Sequence, residues 1–297
     1  KAIRRQRQMC IRDRNIAKLF FPFITLPYLT RVMSTDCYGV VAYVKAVMIY
    51  MQVIVDFGFS LSATKMVVEA KGEQGKLNRI VSLNVFSKLI LSLAAFGGLI
   101  CLICLIPLLR KNALYTILSY VAVFLTIFLF DFLFRGMEMM HIITIRFVIM
   151  KFISTFLTFI LVKGDIDLYF IPLLDIAGAI VAVILVFFRI KKLGIRFQIP
   201  HLKDCLGVIK ESATYFWSNV ASTSFNVFNT FIAGITLSTT EIAYWSVCMQ
   251  IINAIQAGYT PVSDAIYPEM VRSRNIALVN KVCLLYTSPS PRDGATS

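Results

Sequence analysis

Charge is scarce in this chain. Asp, Glu, Lys and Arg make up 15% of its 297 residues, against about 25% in ordinary soluble domains. A soluble chain so poor in charge would expose wide apolar patches and aggregate. Seven cysteines are too sparse for a disulfide scaffold. Two histidines, His141 and His201, have no partners spaced to hold a metal, and no cofactor is expected. Long polar loops are lacking too. The longest, Arg189 to Glu211, leaves no room for a catalytic domain. What is abundant is apolar: 58% hydrophobic residues and a mean hydropathy of +0.76. These values predict an all-α, polytopic membrane helix bundle.

Both ends read as foreign to that bundle. Residues 1–14, including Arg4-Arg5-Gln6-Arg7-Gln8-Met9-Cys10-Ile11-Arg12-Asp13-Arg14, fit in frame the codons of a transposase-based library adapter. Residues 283–297, opening Cys283-Leu284-Leu285-Tyr286-Thr287-Ser288-Pro289-Ser290-Pro291-Arg292-Asp293, fit the opposite adapter. Set aside as processing remnants, they leave Asn15 to Val282, or 268 residues, with the net charge reduced from +14 to +9 and the cysteines to five.

A helix needs about 20 apolar residues to cross a bilayer. Eight spans are expected: Asn15–Thr30 (the remaining part of a first), Gly39–Phe59, Ile80–Leu109, Asn112–Phe134, Ile142–Val162, Tyr169–Phe188, Ser212–Leu237 and Ile242–Tyr267. Residues 15–190 form a six-helix lobe, 191–211 a cytoplasmic linker, and 212–282 the start of a second lobe. Loops after the even-numbered spans carry 15 Lys and Arg against four in the others. That bias places the even loops, and the N-terminus, in the cytoplasm. It also accounts for the basic excess, with membrane lipids as contacts and no nucleic-acid module.

Charge inside a span is costly and faces a bundle interior or a watery cavity. At 100° per residue, Lys45, Gln52 and Asp56 fall within about 20° of one line. Asn84, Lys88 and Ser92 repeat by four. Lys151, Ser154, Thr155 and Thr158 share a face. Asn219, Asn226 and Asn229 mark a stripe on span seven, and Gln250, Asn253 and Asp264 one on span eight. Span one offers Lys18. Span four is nearly all apolar before Asp131 and is expected to face lipid. Lys18, Lys45, Lys88 and Lys151 then suggest a hydrated cationic cavity suited to a phosphate or pyrophosphate, with snorkelling to an interface the alternative for Lys18 and Lys45. Gln52, Asn84, Asn219, Asn226, Gln250 and Asn253 form its polar lining. Asp56, Asp175 and Asp264 are ion-coupling candidates or counter-ions, the latter being the static alternative. Cys101-x-x-Cys104 has redox spacing but lies in an apolar span and reads as packing.

The stretch Ser34 to Tyr43 resembles Ser238 to Val247, each running from a short outer loop into an inward-going span. Such symmetry suggests that spans seven and eight repeat spans one and two. Further residues carry a family resemblance: Phe21-Pro22-Phe23-Ile24-Thr25-Leu26-Pro27-Tyr28-Leu29-Thr30-Arg31-Val32, Tyr38-Gly39, Val55-Asp56-Phe57-Gly58-Phe59-Ser60-Leu61-Ser62-Ala63-Thr64-Lys65, Phe134-Arg135-Gly136-Met137-Glu138, Lys151, Pro172-Leu173-Leu174, Ser218-Asn219, Asn229-Thr230-Phe231 and Ala265-Ile266-Tyr267-Pro268. Here the chain resembles Wzx-type O-antigen flippases of the polysaccharide transport family, within the multidrug/oligosaccharidyl-lipid/polysaccharide exporter superfamily. It departs from the pattern at Arg135, where relatives carry Gln, and at Asp175, where many carry Asn.

The resemblance implies one six-helix lobe plus the first two helices of a second. It further implies alternating-access transport of an undecaprenyl-pyrophosphate-linked oligosaccharide across the bacterial inner membrane. Partners would be that glycan lipid, membrane lipids, and the polysaccharide polymerase and assembly proteins; no enzyme activity is implied. Two other functions compete. A multidrug exporter of the same superfamily favours an acidic or aromatic cavity. A membrane polymerase or glycosyltransferase needs a large loop with paired carboxylates or arginine clusters.

Overall fold

The computed structural model describes residues 20–253 and 255, without the side chains of 219 and 222–230. All regular structure among the described residues is helical. Helix α1 covers 20–32, the described part of span one. Its Tyr28 hydroxyl donates to the carbonyls of Phe159 and Val162, 2.9 and 2.8 Å away, tying it to the end of a later helix. Helix α2, Thr35–Asp56, opens on Ser34, whose hydroxyl accepts from the Cys37 N–H, a favoured N-cap.

Span two does not end in a loop. At Phe57 and Gly58 the backbone turns left-handed, and α3, Phe59–Glu69, carries on to a short turn before α4, Gln74–Leu105. Most of the expected loop 60–79 is therefore helix. Gly58 is required twice over. Its φ is +76°, and a Cβ there would come within 2.6 Å of the Tyr215 Cβ and 2.9 Å of the Phe216 nitrogen. Only glycine allows both the turn and the contact. Beside it, the rings of Phe57 and Phe216 stack at 4.3 Å.

Pro107 opens the short α5, Pro107–Lys111, where its missing N–H costs nothing. Span four divides into α6, Ala113–Leu125, a 3₁₀ turn over Thr126–Leu129, and α7, Asp131–Gly136. The break falls at Phe130, whose φ is +49°. Helices α8, Met140–Leu161, and α9, Phe170–Lys192, pack side by side. Helix α10, Leu202–Thr236, is 35 residues long and leans on α2 through Phe231, which meets the rings of Tyr43 and Tyr50. Helix α11 runs from 239 to 253, and the rest of span eight lies outside the described residues.

Among the described residues, five helical stretches are long and apolar enough to cross a membrane: Thr35–Glu69, Gln74–Leu105, Ala113–Gly136, Met140–Leu161 and Asp165–Lys192. They match expected spans two to six, so the chain is a polytopic helical membrane bundle. Helix α10, rich in Asn, Ser and Thr, is not one of the five. One expectation fails. Span four does not simply face lipid, since α6 packs against α2 and α9 and buries Tyr115, Thr116 and Tyr120. An apolar helix surface is satisfied equally by lipid tails and by neighbouring helices, so hydropathy alone does not separate the two. The expected linker 191–211 is likewise divided, with α9 reaching Lys192 and α10 starting at Leu202. By contacts the chain forms one unit through Cys248. A second unit starts at Met249, and its described residues are helical.

Candidate functional site

Three helices bring the first cluster together. Lys151 on α8 donates to Asp175 Oδ1 on α9 at 3.1 Å, and the Ser154 hydroxyl, one turn along α8, donates to the same oxygen at 2.8 Å. Both partners of the ion pair keep 35–39% of their side-chain surface accessible. Lys45, from α2, lies within electrostatic reach of both Lys151 and Asp175. Its side chain is exposed, and among the described residues it makes no hydrogen bond or ion pair.

Eleven residues further along α2, about 16 Å at helical rise, sits the second cluster. Lys88 on α4 donates to Asp56 Oδ1 at 2.7 Å. Gln52 donates to Asp56 Oδ2 at 2.9 Å and meets the Thr126 hydroxyl at 3.0 Å. The Lys88 side chain is only 9% accessible. Its neighbours on the same face, Asn84 and Ser92, are buried. Asn84 donates to the Ile80 carbonyl, and Ser92 pairs with the Tyr120 hydroxyl at 2.9 Å. The stripe on α4 is therefore mostly internal polar packing.

Three intramembrane lysines thus face two aspartates, and each aspartate is taken by one lysine. Of these three lysines, Lys45 is the one without an ion pair among the described residues. Lys18 and Asp264 lie outside the described residues. Asn219 and Asn226 lie on α10, with side chains outside the description. Gln250 and Asn253 lie on α11, half-buried and exposed respectively.

Sequence reasoning missed several partners. Thr126 joins Gln52 across two helices. Arg135 donates to the Ser60 hydroxyl at 2.6 Å and adds its charge near Asp56. Arg146, buried, forms an ion pair with Asp131. A signal existed for Tyr115, Thr116, Ser119 and Tyr120, whose spacing is itself a polar stripe. None existed for Asp131 and Arg146, which only tertiary packing joins.

The repeated segments meet at the opposite end, where Lys and Arg are few. Asp36 Oδ1 accepts from the hydroxyls of Thr239 and Thr240 at 2.5 and 2.7 Å. The backbone of Thr239 lies against Gly39, where any Cβ would collide with its carbonyl. Ser34 and Ser238 play equivalent parts at the starts of α2 and α11. The Glu241 carboxylate accepts from the N–H and hydroxyl of Ser238, both at 2.8 Å, in a capping box. These bonds hold the Glu241 carboxyl below the usual glutamate range.

A membrane helix bundle with ion pairs between its helices is a general class, and comparison with known proteins narrows it. The chain belongs to the polysaccharide biosynthesis protein family, whose model matches residues 14–274. It is similar to two curated proteins, each named "Putative O-antigen transporter". The one from Shigella dysenteriae is 27% identical over 256 residues, covering 86% of this chain and 64% of that protein. The one from Escherichia coli (strain K12) is 26% identical over 272 residues, covering 90% and 65%. The chain therefore spans just under two thirds of the length of these relatives. No solved structure matches it.

Proposed function

We propose that the protein containing this chain is a flippase. It moves an undecaprenyl-pyrophosphate-linked oligosaccharide across the bacterial inner membrane by alternating access. The observation that carries this reading is Lys45, an accessible cation without a counter-ion among the described residues, beside the accessible Lys151–Asp175 pair. A compact ammonium in a partly dry setting attracts pyrophosphate as a point charge. The pair next to it neutralises itself, so Lys45 supplies the charge, while Lys151 exchanges its carboxylate for the incoming phosphate.

Loop charge puts the basic end in the cytoplasm. The Asp36–Thr239–Thr240 contact then closes the outer end, as expected of a state that loads from inside. The names of the relatives favour transport over the membrane-enzyme alternative. A drug exporter for cationic compounds needs free carboxylates, and both Asp56 and Asp175 are held by lysines.

The test is Lys45→Ala, beside Lys45→Arg, in the full-length protein expressed in a strain lacking its own transporter. Surface polysaccharide should disappear with Lys45→Ala and partly return with Lys45→Arg, at equal protein level in the membrane. An unchanged polysaccharide ladder with Lys45→Ala overturns the reading.

A further inference from the structure

Between α9 and α10, and over the first turns of α10, the chain is neither a loose loop nor part of a spanning segment. It is fastened along the start of α4. Gln74 donates to the Leu193 carbonyl at 3.0 Å, the Arg196 N–H to Asn78 Oδ1 at 3.1 Å, and the Gln198 N–H to the Ser82 hydroxyl at 2.9 Å. Ser87 donates to the Cys205 carbonyl at 3.3 Å, and Arg79 pairs with Asp204 at 3.1 Å. Ile195, Cys205 and Val208 face inward and are buried.

What remains outside is apolar. Ile199 is 90% exposed, Leu202 64% and Leu206 52%. On α10, Leu202 and Leu206 lie one turn apart and are both exposed, while Cys205 and Val208 are buried. Lys203 and Lys210 flank them on the same exposed side, and Arg196, Lys191 and Lys192 are exposed just before. Of the two acids in 189–211, Asp204 is already taken by Arg79.

Length places this surface. At 35 residues, α10 is about 52 Å long, while the hydrocarbon core needs about 30 Å. Its first turns carry Lys203, Asp204, Lys210 and Glu211 and follow the basic end of α9, a spanning helix, so they lie outside the core. Three large apolar side chains in open water there would be unfavourable. At the level of the headgroups they are not, and the ring of cations around them fits a negatively charged surface.

We propose that segment 195–210 is a membrane-surface anchor that recognises anionic phospholipid headgroups. Ile199, Leu202 and Leu206 enter the interface, and Arg196, Lys203 and Lys210 hold the phosphates. The anchor fixes the joint between the two lobes to the bilayer surface. It depends only on the chain spanning a membrane, not on what is transported.

The test replaces Ile199 with a photo-reactive benzophenone amino acid in the full-length protein. The protein is placed in lipid nanodiscs of phosphatidylcholine, alone or mixed with phosphatidylglycerol, and in native membranes. Irradiation should yield a phospholipid adduct that is enriched in phosphatidylglycerol in the mixed discs. The triple variant Arg196→Gln/Lys203→Gln/Lys210→Gln, exposed at all three sites, should lower that enrichment by up to about a hundredfold, at roughly fivefold per cation. Equal labelling of the two lipids overturns the recognition of anionic headgroups. A protein adduct, or no adduct, overturns the anchor.

Discussion

The three intramembrane lysines should separate cleanly when stability is measured. Lys88 is 9% accessible and depends on Asp56 at 2.7 Å, which also holds Gln52. Asp56→Ala removes the counter-ion and leaves a buried ammonium unpaired. Breaking such a pair costs about 3–5 kcal/mol. Asp56 is itself 38% accessible, so water relieves part of the strain, and about 2–3 kcal/mol is expected. Asp175→Ala frees Lys151 in a more open setting, 35% accessible, and should cost about 1 kcal/mol. Lys45→Ala breaks no bond among the described residues and should leave stability unchanged. The assay is unfolding of the purified full-length protein in detergent, followed by circular dichroism, for the three variants and the double variant Asp56→Leu/Lys88→Met. The double variant should recover most of the loss, because an apolar pair of similar volume replaces a buried ion pair at little cost. If Lys45→Ala destabilises as much as Asp56→Ala, or Asp56→Ala has no effect, the assignment of Lys88 to structure and Lys45 to cargo is wrong.

Other outcomes follow from the same geometry. Gly58→Ala should destabilise by about 2 kcal/mol or more, since it adds strain at positive φ to a clash with the α10 backbone; the same melt measures it. Gly39→Val should force α2 and α11 apart, raising the reaction of a cysteine introduced at Thr239 with a membrane-impermeant thiol reagent added outside. Asp36→Ala should raise that reaction less, because it removes hydrogen bonds but adds no bulk. Because the folded-state glutamate at 241 titrates below its unfolded value, its capping contribution is present above the ordinary glutamate range. It is lost as pH falls through the lowered value, so labelling at position 239, taken relative to a fully exposed control cysteine because the thiolate fraction itself falls with pH, should increase on acidification, and Glu241→Gln should remove that increase.

Most of the fold was legible because hydropathy and helix length are read directly from residues, and spans two to six lie where the apolar runs put them. The helix breaks were not. Phe57 and Phe130 take left-handed backbones that a bulky residue rarely adopts, so no propensity marks them. The polar face of α2 was legible as geometry: Gln52 and Asp56, four residues apart, are bonded to each other. Which lysine each aspartate would take was not, because Lys88 and Lys151 reach their partners across helices whose relative rotation only packing decides. In the structure Asp56 and Asp175 are each paired with a lysine. Of the expected cavity lysines that are described, Lys45 is the one without an ion pair among the described residues.

The outer contact bears on how such a bundle can switch. The equivalence of Ser34–Tyr43 and Ser238–Val247 is visible in sequence, and in the structure these segments face each other, with Asp36 bonded to Thr239 and Thr240. Asp36 is exposed and Thr239 and Thr240 are half-buried, so water competes for these bonds and they contribute little net stability. A latch of that strength holds one state without trapping it, because a two-state element must lie within a few kcal/mol of balance to respond to a ligand. The buried Lys88–Asp56 and Arg146–Asp131 pairs are different. They join helices within the first lobe, and their loss would leave charges stranded in a dry interior. Strong bonds therefore lie inside the lobe and weak ones between its outer edge and α11. In the proposed transport cycle, the lobe would move as a body and the outer contact would open.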